Sequence, residues 1–335
     1  MTVSPDRARV QAPPAARVPD FFIVGHAKSG TTALYEMLRQ HPHIYMPDHK
    51  EPWFFARSNP QPQTDGVRSI AFTGKRMETM EDYLELFRDA RPDQLVGEAS
   101  TSYLWSTTAA TRIAEARPDA RIIAVFREPA SFLRSLHLQL VTNRHETEKD
   151  LRKAIALDDA RREDRQIPKY SYWPQALIYS DRVRYAEQLR RYHAVFPPEQ
   201  VMVLIYDDFR QDNEGTVRQV VKFLGVDSTR QLDVLEANPT ISVRSVRLHS
   251  LIRVLVAGRG PVSGTLKSAI KALTWARLRE EFVYPLRWRL VYRYPEPPDE
   301  EVMLELRRRF KGEVVALSEY LGRDLVALWG YDSID

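Results

Sequence analysis

The stretch Phe21-Phe-Ile-Val-Gly25 constrains the fold more than any other. Four apolar residues stopped by glycine are too few for a helix and suit a strand buried on both faces. A short loop follows, and then Ala33, Leu34, Met37 and Leu38 at helical spacing within Thr31–Gln40. The same order recurs down the chain. A strand over Ala120–Phe126 is ended by Arg127-Glu128-Pro129 and followed by a helix from about Ala130 to Leu140. Val201-Met-Val-Leu-Ile-Tyr206 reads as a third buried strand, with a helix over Thr216–Leu224 closed by Gly225. Further helices are expected at Glu81–Ala90, Thr107–Arg117, Arg182–Phe196 and Glu300–Leu321, the last with Gly322 past its end. Strands alternating with helices predict the α/β class, a central parallel sheet flanked by crossover helices. No repeat period is visible and no linker divides the chain, so residues 20–335 are expected to form a single domain.

Residues 1–19 are rich in Pro, Ala and Arg with no apolar core, and read as a flexible leader rather than a signal peptide. A cytoplasmic location is expected on composition. The absence of cysteine excludes disulfides, thiolate metal sites and a cysteine nucleophile. A net charge of +4 is too small a surplus to imply a nucleic-acid partner. Charge is nonetheless uneven. Between Arg244 and Arg293 stand eleven basic residues and two acidic ones, interleaved with Trp275, Phe282, Tyr284, Trp288, Tyr292 and Tyr294. This stretch is read as a basic helical insertion at about 240–295. It is either a solvated face or a surface for an anionic acceptor or anionic membrane headgroups. His41, His43 and His49 cluster in sequence, but they sit in a Pro-rich turn with too few partners for a zinc site, and no metal is expected.

Chemistry concentrates in Gly25-His-Ala-Lys28-Ser29-Gly30-Thr31-Thr32, between the first strand and the first helix. Successive backbone N–H groups and a helix N-terminus converge there on one place, which is what an anion requires. Lys28 adds a point charge, and Thr31 and Thr32 add hydroxyl donors. A nucleotide-triphosphatase loop would carry Lys directly after its second glycine. Here that position is Thr31 and the lysine has moved back to 28.

Lys28-Ser-Gly-Thr-Thr resembles the 5′-phosphosulfate loop of the sulfotransferases that use 3′-phosphoadenosine 5′-phosphosulfate (PAPS). Ile122-Ile-Ala-Val-Phe-Arg127-Glu-Pro129, with Ser135 eight residues after the arginine, is similar to the 3′-phosphate element of that family. Lys50-Glu51-Pro-Trp-Phe54-Phe55 resembles the Lys-Glu-x-x-Phe-Phe segment of the glycan (heparan-type) branch, in which the glutamate is the base. Gly97-Glu98-Ala-Ser-Thr-Ser-Tyr103 resembles the Glu-Lys-Thr-Pro-x-Tyr segment of that branch, with Ala99 in place of the lysine and Thr101 in place of the proline.

The resemblance implies a P-loop-type central parallel sheet flanked by helices, a PAPS co-substrate and no metal or other cofactor. Lys28 would stabilise the leaving phosphate, while Ser29, Gly30, Thr31 and Thr32 would hold the 5′-phosphate. Arg127 and Ser135 would hold the 3′-phosphate, with Arg244 near the adenosine. Glu51 would act as base near neutral pH, with a raised pKa. Glu98 would be a second carboxylate that orients the acceptor or replaces Glu51. The acceptor would be a hydroxyl or amine of a glycan, glycolipid, lipid or secondary metabolite.

Two other readings stay open. A P-loop kinase or NTPase would use Asp207-Asp208, after the third strand, as its Mg²⁺-binding acidic position. A non-catalytic module would bind an anionic membrane or polyanion through residues 244–293.

Overall fold

The computed structural model describes residues 17–56, 77–169, 171, 173–227, 232–233, 242–243, 292–293 and 296–334. Its centre is a five-stranded parallel sheet of β1 (Phe21–Ile23), β2 (Ile44–Tyr45), β3 (Leu95–Ala99), β4 (Arg121–Phe126) and β5 (Val201–Ile205). The strand order is β2-β3-β1-β4-β5. Both faces are covered. Phe21 and Ile23 of β1, with Ile123 and Val125 of β4, pack into one layer under α1 (Thr31–Arg39). Phe22 and Val24, with Ile122, Ala124 and Phe126, enter the other layer. Alternate residues of one strand thus feed two cores, which is why these runs are apolar throughout rather than every second residue.

The expected β1, β4 and β5 are present, but β2 and β3 were not anticipated. β2 has only two residues, and β3 reads Leu-Val-Gly-Glu-Ala, which shows neither an apolar run nor alternation. Its glycine is a packing requirement, since a Cβ on Gly97 would lie 2.2 Å from the Phe21 ring and 2.4 Å from the Met46 sulfur.

After β1 the helices run in order: α2 (Met80–Leu84), α3 (Ala109–Ala116), α4 (Pro129–Thr142), α5 (Leu151–Ala156), α6 (Asp158–Arg162), α7 (Tyr179–Arg182), α8 (Tyr185–His193), α9 (Tyr206–Gln211) and α10 (Asn213–Phe223). The long α11 (Glu300–Leu321) and short α12 (Leu325–Leu328) close the described chain, and α11 packs along α4 and α8. The helix expected over Arg182–Phe196 is α8, Tyr185–His193, and a separate turn, α7, precedes it. Asp158 accepts hydrogen bonds from the backbone N–H of Tyr179 (2.9 Å) and Ser180 (2.8 Å), starting α7 as a separate turn. The Gln188 amide donates to the carbonyls of Asp181 and Arg182, which ends it.

Past Gly322 the chain folds back over the sheet. Arg323 pairs with Asp208, Trp329 donates to Asp207 (2.8 Å), and the Tyr331 hydroxyl donates to Glu128 (2.6 Å). Of the basic insertion, the described part is an antiparallel pair, β6 (Ser242–Val243) with β7 (Tyr292–Arg293). Arg244, the rest of 240–295 and leader residues 1–16 lie outside the described residues. Among the described residues, no helix is long and apolar enough to cross a membrane.

Candidate active site

Parallel strands deliver the loops after their C-terminal ends to one edge, where open α/β sheets bind ligands. Four neighbouring strands do so here. The loop after β1 carries Lys28, β4 runs into Arg127, and β5 runs into Tyr206. Glu51 is docked at the end of β3, its N–H donating to the Ala99 carbonyl at 3.1 Å. Elements separated by up to 100 residues in sequence are therefore adjacent because β3, β1 and β4 pair side by side.

In the glycine loop Lys28 has φ 65° and Gly30 φ 83°, both left-handed. At Gly30 a Cβ would lie 3.0 Å from the Phe209 ring, so that position admits only glycine without displacement. Thr31 opens α1, which places the free N–H groups of its first turn at the loop. Ser29 is buried, and its hydroxyl has no hydrogen-bond partner among the described residues. An unpartnered buried hydroxyl beside convergent amides and a lysine fits an oxyanion such as a phosphate.

Arg127 locks onto this loop, one guanidinium nitrogen donating to the Lys28 carbonyl at 2.6 Å. The guanidinium lies 4.8 Å above the Tyr206 ring, and the Arg127 carbonyl accepts from the Tyr185 hydroxyl at 2.9 Å. Burial and the Arg127 charge push the Lys28 pKa down. The same two causes lower the pKa of Arg134 on α4. Lys28, Arg127 and Arg134 thus form a crowded cationic group, which a bound polyanion would relieve. Ser135 is buried on α4 directly after Arg134. Arg134 escaped sequence reading because an arginine on an amphipathic helix looks like a solvated one. Its position seven residues past Arg127, two helical turns, was the available signal.

Glu51 sits at φ 63° and Trp53 at φ 56°, so among the described residues three of six non-glycine left-handed positions belong to the Lys28 and Glu51 loops. Such conformations concentrate where structure serves function. The Glu51 carboxylate accepts from Lys50 Nζ (2.9 Å), Trp53 Nε1 (2.9 Å) and Thr101 Oγ1 (2.8 Å), and remains 26% exposed. Burial pushes its pKa up, but the Lys50 charge and these three donors outweigh it and hold the carboxyl below its ordinary value. The expectation of a raised pKa is therefore reversed. Thr101, one of the two departures from the resembled segment, is part of the reason.

Glu98 is the correction among the candidate residues. On β3 it shares a face with Val96, two residues away, and so turns into the core with 0% exposure. The hydroxyls of Tyr83 and Tyr103 both donate to its carboxylate at 2.8 Å. It has no face to offer an acceptor. Burial raises its pKa to about 7. Between 4.5 and about 7 the unfolded chain ionises this carboxyl and the folded chain does not, so stability falls as pH rises through that window. Glu98→Gln removes this loss. In thermal denaturation scans its melting temperature relative to wild type is expected to climb from about pH 5 to about pH 8. A difference that is flat with pH would show the carboxyl ionised throughout.

A wall of three half-buried tryptophans flanks Glu51. Trp53 meets Trp173 edge-on (centroids 5.8 Å apart), Trp173 meets Trp105 (4.9 Å), and Arg182 covers Trp105 (4.2 Å). The remaining sequence candidates are occupied elsewhere. His41 is bonded to the Asp227 carbonyl at 2.9 Å. Asp207 and Asp208, the acidic pair an NTPase would use, are taken up by Trp329 and Arg323. Among the described residues, no group of three or more His, Asp or Glu side chains is placed to hold a metal ion.

The sequence model of the sulfotransferase family matches residues 19–230. The chain is similar to carbohydrate sulfotransferase 15 of Mus musculus, 25% identical over 285 residues, covering 70% of this chain and 49% of that protein. It is also 28% identical over 220 residues to the human bifunctional heparan sulfate N-deacetylase/N-sulfotransferase 3, covering 63% of this chain and 22% of that protein. The chain thus spans about half the length, or less, of these curated relatives. Among solved structures, a sulfotransferase from Alicyclobacillus acidocaldarius aligns at 29% identity with a TM-score of 0.63, over 93% of this chain and 98% of that one.

Proposed function

This chain belongs to the sulfotransferase family, and from that premise we propose that it transfers a sulfuryl group from PAPS to a hydroxyl of a glycan. The observation that carries this reading is the convergence of Lys28, Arg127 and Glu51 on the ends of three adjacent parallel strands. Ser29, Gly30, Thr31 and Thr32 hold the 5′-phosphate through loop amides and hydroxyls. Arg127, with Ser135 and the newly found Arg134, holds the 3′-phosphate, which separates PAPS from ATP. Lys28 neutralises charge growing on the leaving phosphate. Glu51 accepts the proton of the acceptor hydroxyl. Glu98, sealed in the core, fixes Tyr83 and Tyr103 beneath this site.

The acceptor class is supported by two things. The relatives named above act, by name, on carbohydrate or heparan sulfate. The half-buried Trp53, Trp105 and Trp173 offer the amphipathic ring faces on which a sugar can stack.

Thermal denaturation with ligands tests the donor reading. Adenosine 3′,5′-bisphosphate (PAP), without metal, is expected to raise the melting temperature by several degrees, and ATP with Mg²⁺ to leave it unchanged, because binding to the folded state stabilises it. The opposite pattern would return the NTPase reading.

A further inference from the structure

Arg182 ends α7 with only 4% of its surface exposed. Its guanidinium lies over the Trp105 ring, and among the described residues its Nε has no hydrogen-bond partner. Among the described residues, no carboxylate stands within ion-pair distance of it. Arg161, equally buried, shows how this chain treats an arginine that serves structure: it pairs with Glu146 at 2.8 Å and donates to the carbonyls of Ala154 and Leu177. A buried cation without such partners is strongly unfavourable. Arg182 is a charge awaiting an anion.

Its place is firmly set. The Gln188 side chain that closes α7 on the Arg182 carbonyl also meets the His26 ring at 2.8 Å. His26 stands two residues before Lys28, at the root of the glycine loop, and its Nδ1 is a second buried polar atom without a partner. On the other side, Trp105, Trp173 and Trp53 lead from Arg182 to Glu51, which Trp53 holds by its indole N–H. Burial pulls the Arg182 pKa down to about 9, with Tyr185 and Glu51 opposing it less strongly.

We propose that Arg182 receives the oxygens of the sulfuryl group as it passes from the donor to the acceptor, between Lys28 and Glu51. The inference rests on the donor reading given above. In the step, the bond from sulfur to the phosphate oxygen breaks and leaves its electron pair on the phosphate. The acceptor oxygen bonds to sulfur, and its proton goes to Glu51. The guanidinium fork matches two of the three sulfuryl oxygens. Depth favours this occupant over an acid on the acceptor, because the tryptophans are partly exposed while Arg182 is buried.

PAP and PAPS differ only in the sulfuryl group, so their binding separates this role from a structural one. Equilibrium affinities for both are measured, without acceptor, on wild type, Arg182→Met and Arg182→Lys. Arg182→Met is expected to weaken PAPS by about tenfold to a hundredfold, the worth of charge-assisted hydrogen bonds, and PAP by less than about twofold. Arg182→Lys should fall between, and retained PAP affinity certifies the fold of each variant. Equal loss of both nucleotides in both variants, or no change in either, overturns the proposal. A wild-type protein that binds neither overturns the donor reading itself, and this inference with it.

Discussion

Replacing Lys28 by methionine is expected to lower kcat by about 10²–10³-fold, the usual effect of removing one preorganised donor from developing charge. PAP affinity should fall far less, because the loop amides, the first turn of α1 and Arg127 all remain. The physical ground is the site's charge. Burial and Arg127 already disfavour the Lys28 ammonium, and extra negative charge on a departing phosphate would relieve both. Lys28 thus gains most at the transition state, which is where a gain accelerates reaction. Steady-state kinetics with PAPS, paired with PAP titration, check this. If kcat is untouched while PAP binding collapses, Lys28 only anchors the donor.

The second large effect falls on Glu51. Glu51→Gln is expected to reduce kcat by about 10²–10⁴-fold with the donor still bound, the range for a general base. The pH dependence identifies the titrating group. Held below its ordinary value of 4.5, Glu51 is ionised throughout neutral pH, and its competence is lost only as pH falls through that depressed value. The acid limb of the wild-type kcat profile is therefore expected below about 4.5, and Lys50→Ala should move it upward by removing the cation that depresses it. A limb near 7 in the wild type would instead report a group other than Glu51, and would displace Glu51 as the base. Glu51 is a weak base, which suits a reaction that, by analogy with loose phosphoryl transfer, moves the proton late.

The sheet was legible where both faces of a strand are buried. Phe21–Ile23, Arg121–Phe126 and Val201–Ile205 announce themselves as apolar runs, and Lys28-Ser-Gly-Thr-Thr and Arg127-Glu-Pro mark the loops that the structure brings together after the first two. β3 did not, because its residues answer to their neighbours: Gly97 to the Phe21 ring, and Glu98 to two tyrosines. The directions of the carboxylate pKa values were hidden for the same reason. A glutamate's neighbours decide whether it is held ionised or neutral, and Thr101 and Tyr103, two residues apart, serve different glutamates. Arg134 and Arg182 were invisible because nothing in a one-dimensional pattern distinguishes a crowded or unpaired arginine from a solvated one. What makes them notable is what they touch, or fail to touch.

The fold-back after α11 sets the size of the working unit. Glu128 caps α4 by accepting from the N–H groups of Ala130 and Ser131, and so fixes the backbone next to Arg127. That same carboxylate is gripped by Tyr331, while Trp329 and Arg323 pin the residues just beyond Tyr206. The sulfotransferase family model matches residues 19–230, yet the backbone beside Arg127 and Tyr206 is held by a tail lying outside that range. A substitution at Trp329 or Tyr331 would therefore reach the loops of the site without altering any residue of its motifs.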